Sequence, residues 1–346
     1  TDDCAGLMPG SLPTPIQATL PQNECIGGTT DDGTGTFALG FINSAGPSSF
    51  RQWEFFTIQD GKAVQVGDQP FGGDDGASFL DSQPSGFTKF SSNEAVGDSE
   101  IDSYDHGGNL TSRAGLASSN ETAGATSAIG VDPSGGTATA FQVFDTAKGW
   151  STVYKRFDKT GVAATGNVTI DTQDRAVQAV GVALSGDALV LVRDGSSFAA
   201  RWLSREGAAL TDWFAVPGSL PFPSVQFLMD GSVVLAFNGG SQVNQYKYQI
   251  ADGKTALNPA PAFLLQRLGN AFAPVRNGRG YAAWGAAGPC AGSLEVLTTS
   301  GKSCGCTKVP QFENGLSIGR DGSLIVGGPI VNFGSCVYDL YPKLLK

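Results

Sequence analysis

One pattern of apolar and polar positions recurs along the chain. An apolar stretch runs into a small-residue turn that contains Gly, and a second apolar stretch follows. The clearest copies are Phe227-Leu-Met-Asp-Gly-Ser-Val-Val-Leu-Ala-Phe237 and Leu316 to Gly327, which turns at Asp321-Gly322. Further copies turn at Asp32-Gly33, Ser85-Gly86, Ser134-Gly135, Ser185-Gly186 and Asn277-Gly278, and the full set is seven. Successive turn glycines stand 53, 49, 51, 45, 47 and 44 residues apart. Asp-Gly and Asn-Gly between apolar runs predict tight β-hairpins, because both turn residues accept positive φ. A second turn follows in most copies: Ile58-Gln-Asp-Gly61, Tyr104-Asp-His-Gly-Gly108, Phe157-Asp-Lys-Thr-Gly161, Leu203-Ser-Arg-Glu-Gly207, Ile250-Ala-Asp-Gly253 and Thr298-Thr-Ser-Gly301. Alternating residues precede several of these, as in Asn244-Gln-Tyr-Lys-Tyr-Gln-Ile250. Each unit therefore reads as two hairpins, or four strands, and a short helix is expected near Ala262–Leu268.

Seven four-stranded units at this period resemble a β-propeller, an all-β fold. The expected blades span about 24–70, 76–118, 125–171, 176–217, 224–260, 270–310 and 314–346, in a single domain over 1–346. The last unit ends after its third strand, Cys336-Val-Tyr-Asp-Leu-Tyr341. A strand within 11–20, Ser11 to Leu20, is expected to complete it and close the ring, which removes exposed strand edges. Pro13 and Pro15 suit an outer-edge strand, where ladder donors are not needed. The resemblance is to the architecture alone and to no specific family: the WD dipeptide is absent, and a kelch-like Gly327-Gly328 occurs in one blade. Six or eight blades, or two β-sandwiches, are the alternatives.

Composition narrows the classes further. The 346 residues are 40% hydrophobic and 16% charged, and 48 Gly with 18 Pro make close to one residue in five. A coiled coil needs more charge and less Gly, a disordered chain less apolar content, and collagen a Gly at every third position. No apolar run reaches the ~18 residues of a membrane span. The formal net charge is −10, which disfavours nucleic acid and anionic lipid as partners. Cys4, Cys25, Cys290, Cys304, Cys306 and Cys336 form an even set without a C-x-x-C pair, and the chain has one histidine, so a disulfide framework is expected rather than zinc. All six fall near the two chain ends, where the ring would close. The chain starts at Thr1-Asp-Asp-Cys4 with no signal peptide, so it reads as a mature exported form, secreted, periplasmic or on the outer surface. A lipid anchor would need a residue not in this chain. The Gly- and Ala-rich composition is of a bacterial kind.

In such a fold the tight turns share one end of the blades and the longer loops the other, where binding concentrates. The longer loops are Asn43–Ser49, Phe71–Ala77, Asn93–Ser99, Asp145–Trp150, Asp171–Arg175, Arg193–Ser197 and Asn258–Asn270. They offer Asp74, Asp75, Trp150, Asp174, Arg175, Arg193, Asp194 and Arg267 as candidate residues for a protein or glycan partner, or for self-assembly. The same residues also suit a solvated polar rim.

Candidate catalytic sets are thin. His106 lies in a tight turn in register with Lys159 and Arg205, which reads as a solvated turn residue and leaves a Ser-His-Asp triad without its base. Gly301-Lys-Ser-Cys-Gly305 matches G-x-S-x-G but starts at a hairpin, not at the strand-to-helix elbow the chemistry needs. Asp98, Glu100 and Asp102 alternate, which places three carboxylates on one strand face, either a Ca²⁺ or glycosidase set or a plain polar face opposite Ile101. No cofactor is expected, with Ca²⁺ as the ion that such carboxylates could hold. The reading is an exported, disulfide-stabilised binding or assembly module, more a non-enzyme than an enzyme. A carboxylate-dependent polysaccharide hydrolase or lyase is one alternative, with Asp74, Asp75, Asp174 and Arg175 converging. A lectin is another, with Trp150 or Trp284 as stacking platform and Trp53, Trp202 and Trp213 as core.

Overall fold

The turn glycines fall where the chain has to reverse. In the computed structural model Asp60 and Gly61 take φ of 49° and 74°, the left-handed pair that joins two twisted strands with a two-residue loop. The structure describes residues 3–7, 11–20, 24–31, 34–43, 50–67, 78–83, 85–93, 98–116, 121–218, 223–238, 244–275, 278–285, 287–309, 316–319, 321–327 and 335–345.

The strands form seven four-stranded antiparallel sheets, the blades of a β-propeller. The first blade is Glu24–Thr30, Phe37–Asn43, Phe50–Gln59 and Lys62–Val66. The second is Ser78–Gln83, Gly86–Asn93, Asp98–Tyr104 and Leu110–Gly115. The third is Glu121–Val131, Thr137–Asp145, Gly149–Phe157 and Val168–Asp171. The fourth is Ala176–Val182, Ala188–Asp194, Ser197–Leu203 and Phe214–Val216. The fifth is Ser224–Phe227, Val233–Asn238, Asn244–Ile250 and Asn258–Pro259. The sixth is Arg267–Pro274, Gly280–Gly285, Ser293–Thr298 and Ser303–Lys308. The seventh is Leu316–Ile318, Leu324–Gly327 and Cys336–Tyr341, completed by Ile16–Leu20. The expected helix near Ala262–Leu268 is one 3₁₀ turn, Ala262–Leu264, because strand pairing begins again at Arg267.

By their contacts the residues divide into two compact units. One comprises Thr1–Lys89, Ser103–Thr111 and Ala271–Lys346; the other comprises Phe90–Asp102 and Ser112–Asn270.

Within each unit the apolar clusters lie between neighbouring blades. In the second unit Leu189, Leu191, Phe198 and Trp202 of the fourth blade pack on Val233, Leu235 and Phe237 of the fifth. The opposite face of that fourth blade places Val190, Val192 and Leu203 against Ala138, Ala140 and Tyr154 of the third. A second strand is thus covered on both faces, which is why Ala188–Val192 is an unbroken apolar run rather than an alternating one. Trp202 is fully buried, and its indole Nε1 donates to the carbonyl of Lys254, 2.8 Å away, so the polar handle is satisfied in the next blade.

In the first unit the N-terminal strand pairs antiparallel with the last strand, Ile16 opposite Leu340 and Leu20 opposite Cys336. Pro13 and Pro15 precede this ladder rather than lying in it, since pairing starts at Ile16. Leu20, Phe37, Leu39, Phe41, Ile325, Tyr338 and Leu340 make the core of this closure. The Tyr338 hydroxyl accepts from the Gly27 amide at 3.0 Å and lies 2.9 Å from the Gly27 carbonyl, so the last blade grips the first strand of the next. Burial pushes this phenol far above its usual range. Three disulfides join Cys4 to Cys304, Cys25 to Cys336 and Cys290 to Cys306. Two of them span 300 and 311 residues of sequence, so they tie the chain ends.

Replacing Cys25 and Cys336 by Ser is expected to lower the unfolding free energy by about 2–5 kcal/mol. The Cys290–Cys306 bond, with a sequence separation of 16, closes a far shorter loop, and its loss is expected to cost less. Denaturant midpoints of the two double-serine variants measure this, and equal losses would contradict it.

Candidate functional site

Two kinds of polar constellation stand out, one at each end of the strands. At the loop end, where the second strand turns into the third, the third and fourth blades present most of the candidate residues. Arg175 lies in the connection between these blades. Its guanidinium reaches Asp171 at 3.3 Å and Asp194 at 3.1 Å, and its side chain is 13% exposed. Arg175 and Arg201 both lie 5.6 Å from the Trp213 ring centroid, so the indole stacks with two cations. Arg201 is fixed in turn by the carbonyls of Thr211 and Ile170. Asp174 accepts from Gln142 Nε2 at 2.7 Å, and Gln142 Oε1 accepts from Thr126, whose hydroxyl also receives the Val177 amide. This chain of bonds joins the third blade to the first strand of the fourth.

Trp150 is the second residue of the third strand of the third blade. Its ring is half-buried and packs on Phe144, with centroids 5.1 Å apart. Arg193 is exposed and donates to the Gly195 carbonyl within its own turn. Arg267 is buried and donates to the Gln266 carbonyl, so it does not belong to this group. Asp74 and Asp75 lie outside the described residues. The structure therefore brings Asp174, Arg175 and Asp194 together at one seam, with Arg193 beside Asp194 in the same turn. Asp171, Trp213 and Arg201 complete the group. The sequence marks Asp171 as a loop residue and Trp213 as core but not their roles here, nor Arg201, because those roles depend on contacts across a seam.

At the tight-turn end, buried carboxylates of one blade hold an imidazole or a guanidinium of the next. Asp31, in the first turn of the first blade, is fully buried and lies 2.7 Å from His106 Nδ1 in the last turn of the second blade. Thr34 and the Gly35 amide also donate to Asp31, and Thr36 donates to the His106 carbonyl. His106 was expected to be a solvated turn residue; it occupies that turn, but its imidazole is held by a buried carboxylate. The same arrangement recurs between the third and fourth blades. Asp132 accepts from Arg156 within its own blade and lies 3.1 Å from Arg205 in the last turn of the fourth. Gly186 makes room for Arg205, because a Cβ there would strike the guanidinium. At the seam of the seventh and first blades the contact is Asp321 with the Thr30 hydroxyl.

Two of the three alternating carboxylates meet one guanidinium. Asp102 is buried and binds Arg113 through both oxygens, at 2.7 and 3.0 Å, while Glu100 lies 3.4 Å from the same guanidinium. Ile101 faces the apolar core. The side chain of Asp98 lies outside the description. Gly301-Lys-Ser-Cys-Gly305 runs into the outer strand of the sixth blade, and its Cys304 is disulfide-bonded, so it forms no nucleophile elbow.

No protein-family model matches the chain, and no protein of curated function matches its sequence. Solved structures do resemble it. The Dos1 propeller superposes with a TM-score of 0.54 at 12% identity, over 95% of each chain. A puromycin hydrolase, in a mutant form complexed with PGG, superposes with a TM-score of 0.54 at 14% identity, over 96% of this chain and 54% of the hydrolase. At such identities the likeness establishes the propeller fold and nothing about chemistry.

Asp132→Ala leaves Arg156 buried without its carboxylate and is expected to cost about 3–5 kcal/mol. Arg205→Ala, at an exposed position, is expected to cost less than about 1 kcal/mol. Chemical denaturation of both variants checks the order, and a larger loss for Arg205→Ala would refute the assignment.

Proposed function

We propose that the chain is an exported, disulfide-stabilised propeller that acts as a non-catalytic binding or assembly module at the cell surface or outside the cell. The observation that carries this reading is the pairing of all six cysteines into three bonds. Bonds of this kind persist in oxidising compartments and are removed in reducing ones. Two of them hold the chain ends together, which suits a protein that has no chaperone after export. Among the described residues no helix is long and apolar enough to cross a membrane.

The binding part of the proposal is supported by the loop end of the third and fourth blades. Arg175, Asp194 and Trp213 are locked by ion pairs and stacking before any partner arrives. A preorganised surface loses little entropy on association, which favours recognition of a protein or a glycan. Arg193, next to Asp194, adds an exposed guanidinium, and Trp150, in the second-to-third strand turn of the third blade, adds half an indole face. The residues once paired for acid/base work, Asp174 and Arg175, are engaged by Gln142, Asp171 and Asp194, so the geometry favours a binding role for them. No cofactor enters the proposal.

Glycan arrays, pull-downs from the native surface and light scattering test this function. A captured protein or glycan, or a defined oligomer, is expected. Arg193→Ala should weaken capture by about tenfold without moving Tm, since its exposed side chain bonds only within its own turn, and Trp150→Ala should weaken capture with a small fall in Tm from the lost packing on Phe144. Silence in all three assays would sink the reading.

A further inference from the structure

A cleft of about 430 Å³ opens at the tight-turn end between the fourth and fifth blades, lined by Ser185, Asp230, Ser232, Gln249, Asp252 and Asn258. It lies where the neighbouring seam carries a carboxylate–cation latch, and the turn hydrogen bonds show this residue by residue. In the last turns, Gly108 donates to the Asp105 carbonyl, Gly207 to that of Ser204 and Lys254 to that of Ala251. His106, Arg205 and Asp252 are therefore the same position in three blades. In the first turns, Gly135 donates to the Asp132 carbonyl and Gly186 to that of Ala183, so Asp132 and Ala183 are also equivalent.

At this seam the acidic position has become a buried alanine, and the cationic position has become an aspartate. The backbone of the latch is kept and its cation is gone. Asp252 Oδ1 is fully buried and has no hydrogen-bond partner. Such an oxygen forfeits its hydration without compensation. Asp187 stands close by, its carboxyl pushed above the usual range by burial and then by the charges of Asp252 and Glu206. Asp230 forms another wall, with Gln249 Nε2 2.8 Å from its Oδ2. Lys254, two residues from Asp252, is exposed.

We infer that this cleft receives a guanidinium group, as an arginine side chain presents it, in the place that Arg205 fills from within the chain at the preceding seam. A guanidinium offers a planar fork of donors matched to carboxylates and is weakly hydrated, so it enters a half-buried acidic cleft more readily than an ammonium. No aromatic ring is among the lining residues, which disfavours a sugar. Among the described residues no group of three acidic, His or Cys side chains is placed to hold a metal ion. The cleft is at the opposite end of the strands from the loop-end surface, and the inference does not rest on the function proposed above.

Calorimetric titration of the full chain with argininamide tests it, with lysinamide and CaCl₂ as parallel titrants. Saturable argininamide binding is expected, stronger than that of lysinamide and weakened by salt. Asp252→Asn should weaken it at least about tenfold. Asp252→Arg should abolish it and raise Tm, because the chain then supplies its own cation. Asp230→Asn reports on the other wall should Asp252→Asn not fold, and is expected to weaken binding as well. Asp158→Asn, an exposed turn carboxylate of the third blade, should leave binding unchanged. Absence of saturation, equal affinity in the wild type and the folded cleft variants, or a response to CaCl₂ alone would each overturn the assignment. A loop-end variant that lost its partner while keeping argininamide binding would separate this site from the surface module.

Discussion

The second strand of a blade is apolar on both faces, and no single sheet can bury both. The fourth blade shows the consequence. Its Leu189 and Leu191 need the fifth blade, while its Val190 and Val192 need the third. Each four-stranded sheet is therefore incomplete alone, and stability comes from the surfaces between sheets, at roughly 25 cal/mol for each Å² of apolar area removed from water. A linear stack would leave an uncovered face at either terminus. The chain meets this constraint by returning its N-terminal strand to the last blade, and it places the disulfides at that return.

That dependence also explains the polar chemistry at the turns. Apolar packing between blades has no direction and tolerates sliding, whereas a polar contact to a buried carboxylate has one geometry. His106 on Asp31 and Arg205 on Asp132 set how a turn of one blade meets a turn of the next. The backbone of the turn is conserved from blade to blade within this chain, while the side chains on it differ. One seam joins an imidazole to a carboxylate, another a guanidinium, another a hydroxyl. The fourth–fifth seam keeps the frame, loses the pair, and opens into a cleft.

Hairpins and the closing strand were legible because their causes are local. Glycine at a fixed phase supplies the left-handed residue, and apolar runs on either side supply the strands. Cysteines near both ends named the seam, although the pairing of six could not be chosen from order. Other features were not legible. The helix near Ala262 shortened to a single turn because pairing from Arg267 onward competes with it. Arg267 looked like a loop cation and is buried. His106 was placed in the correct turn, but its partner lies 75 residues away in another blade. Asp171 bounds a loop that the sequence singles out and Trp213 reads as core, but Arg201 carries no local signal at all.

The sequence by itself determined the repeating unit, the turn positions and the location of the closure, since each depends on the periodicity of neighbouring residues, and it favoured seven units over six or eight. Tertiary structure decided which side chains meet across a seam, which of the carboxylates are neutralised and which is left unpaired. Asp252, His106 and Arg205 share one turn position that only the hydrogen bonds reveal, since the turn glycine beside Asp252 stands one residue earlier than in the other two. Only the facing blade tells them apart, because electrostatic partners are chosen by distance in space and not by spacing along the chain.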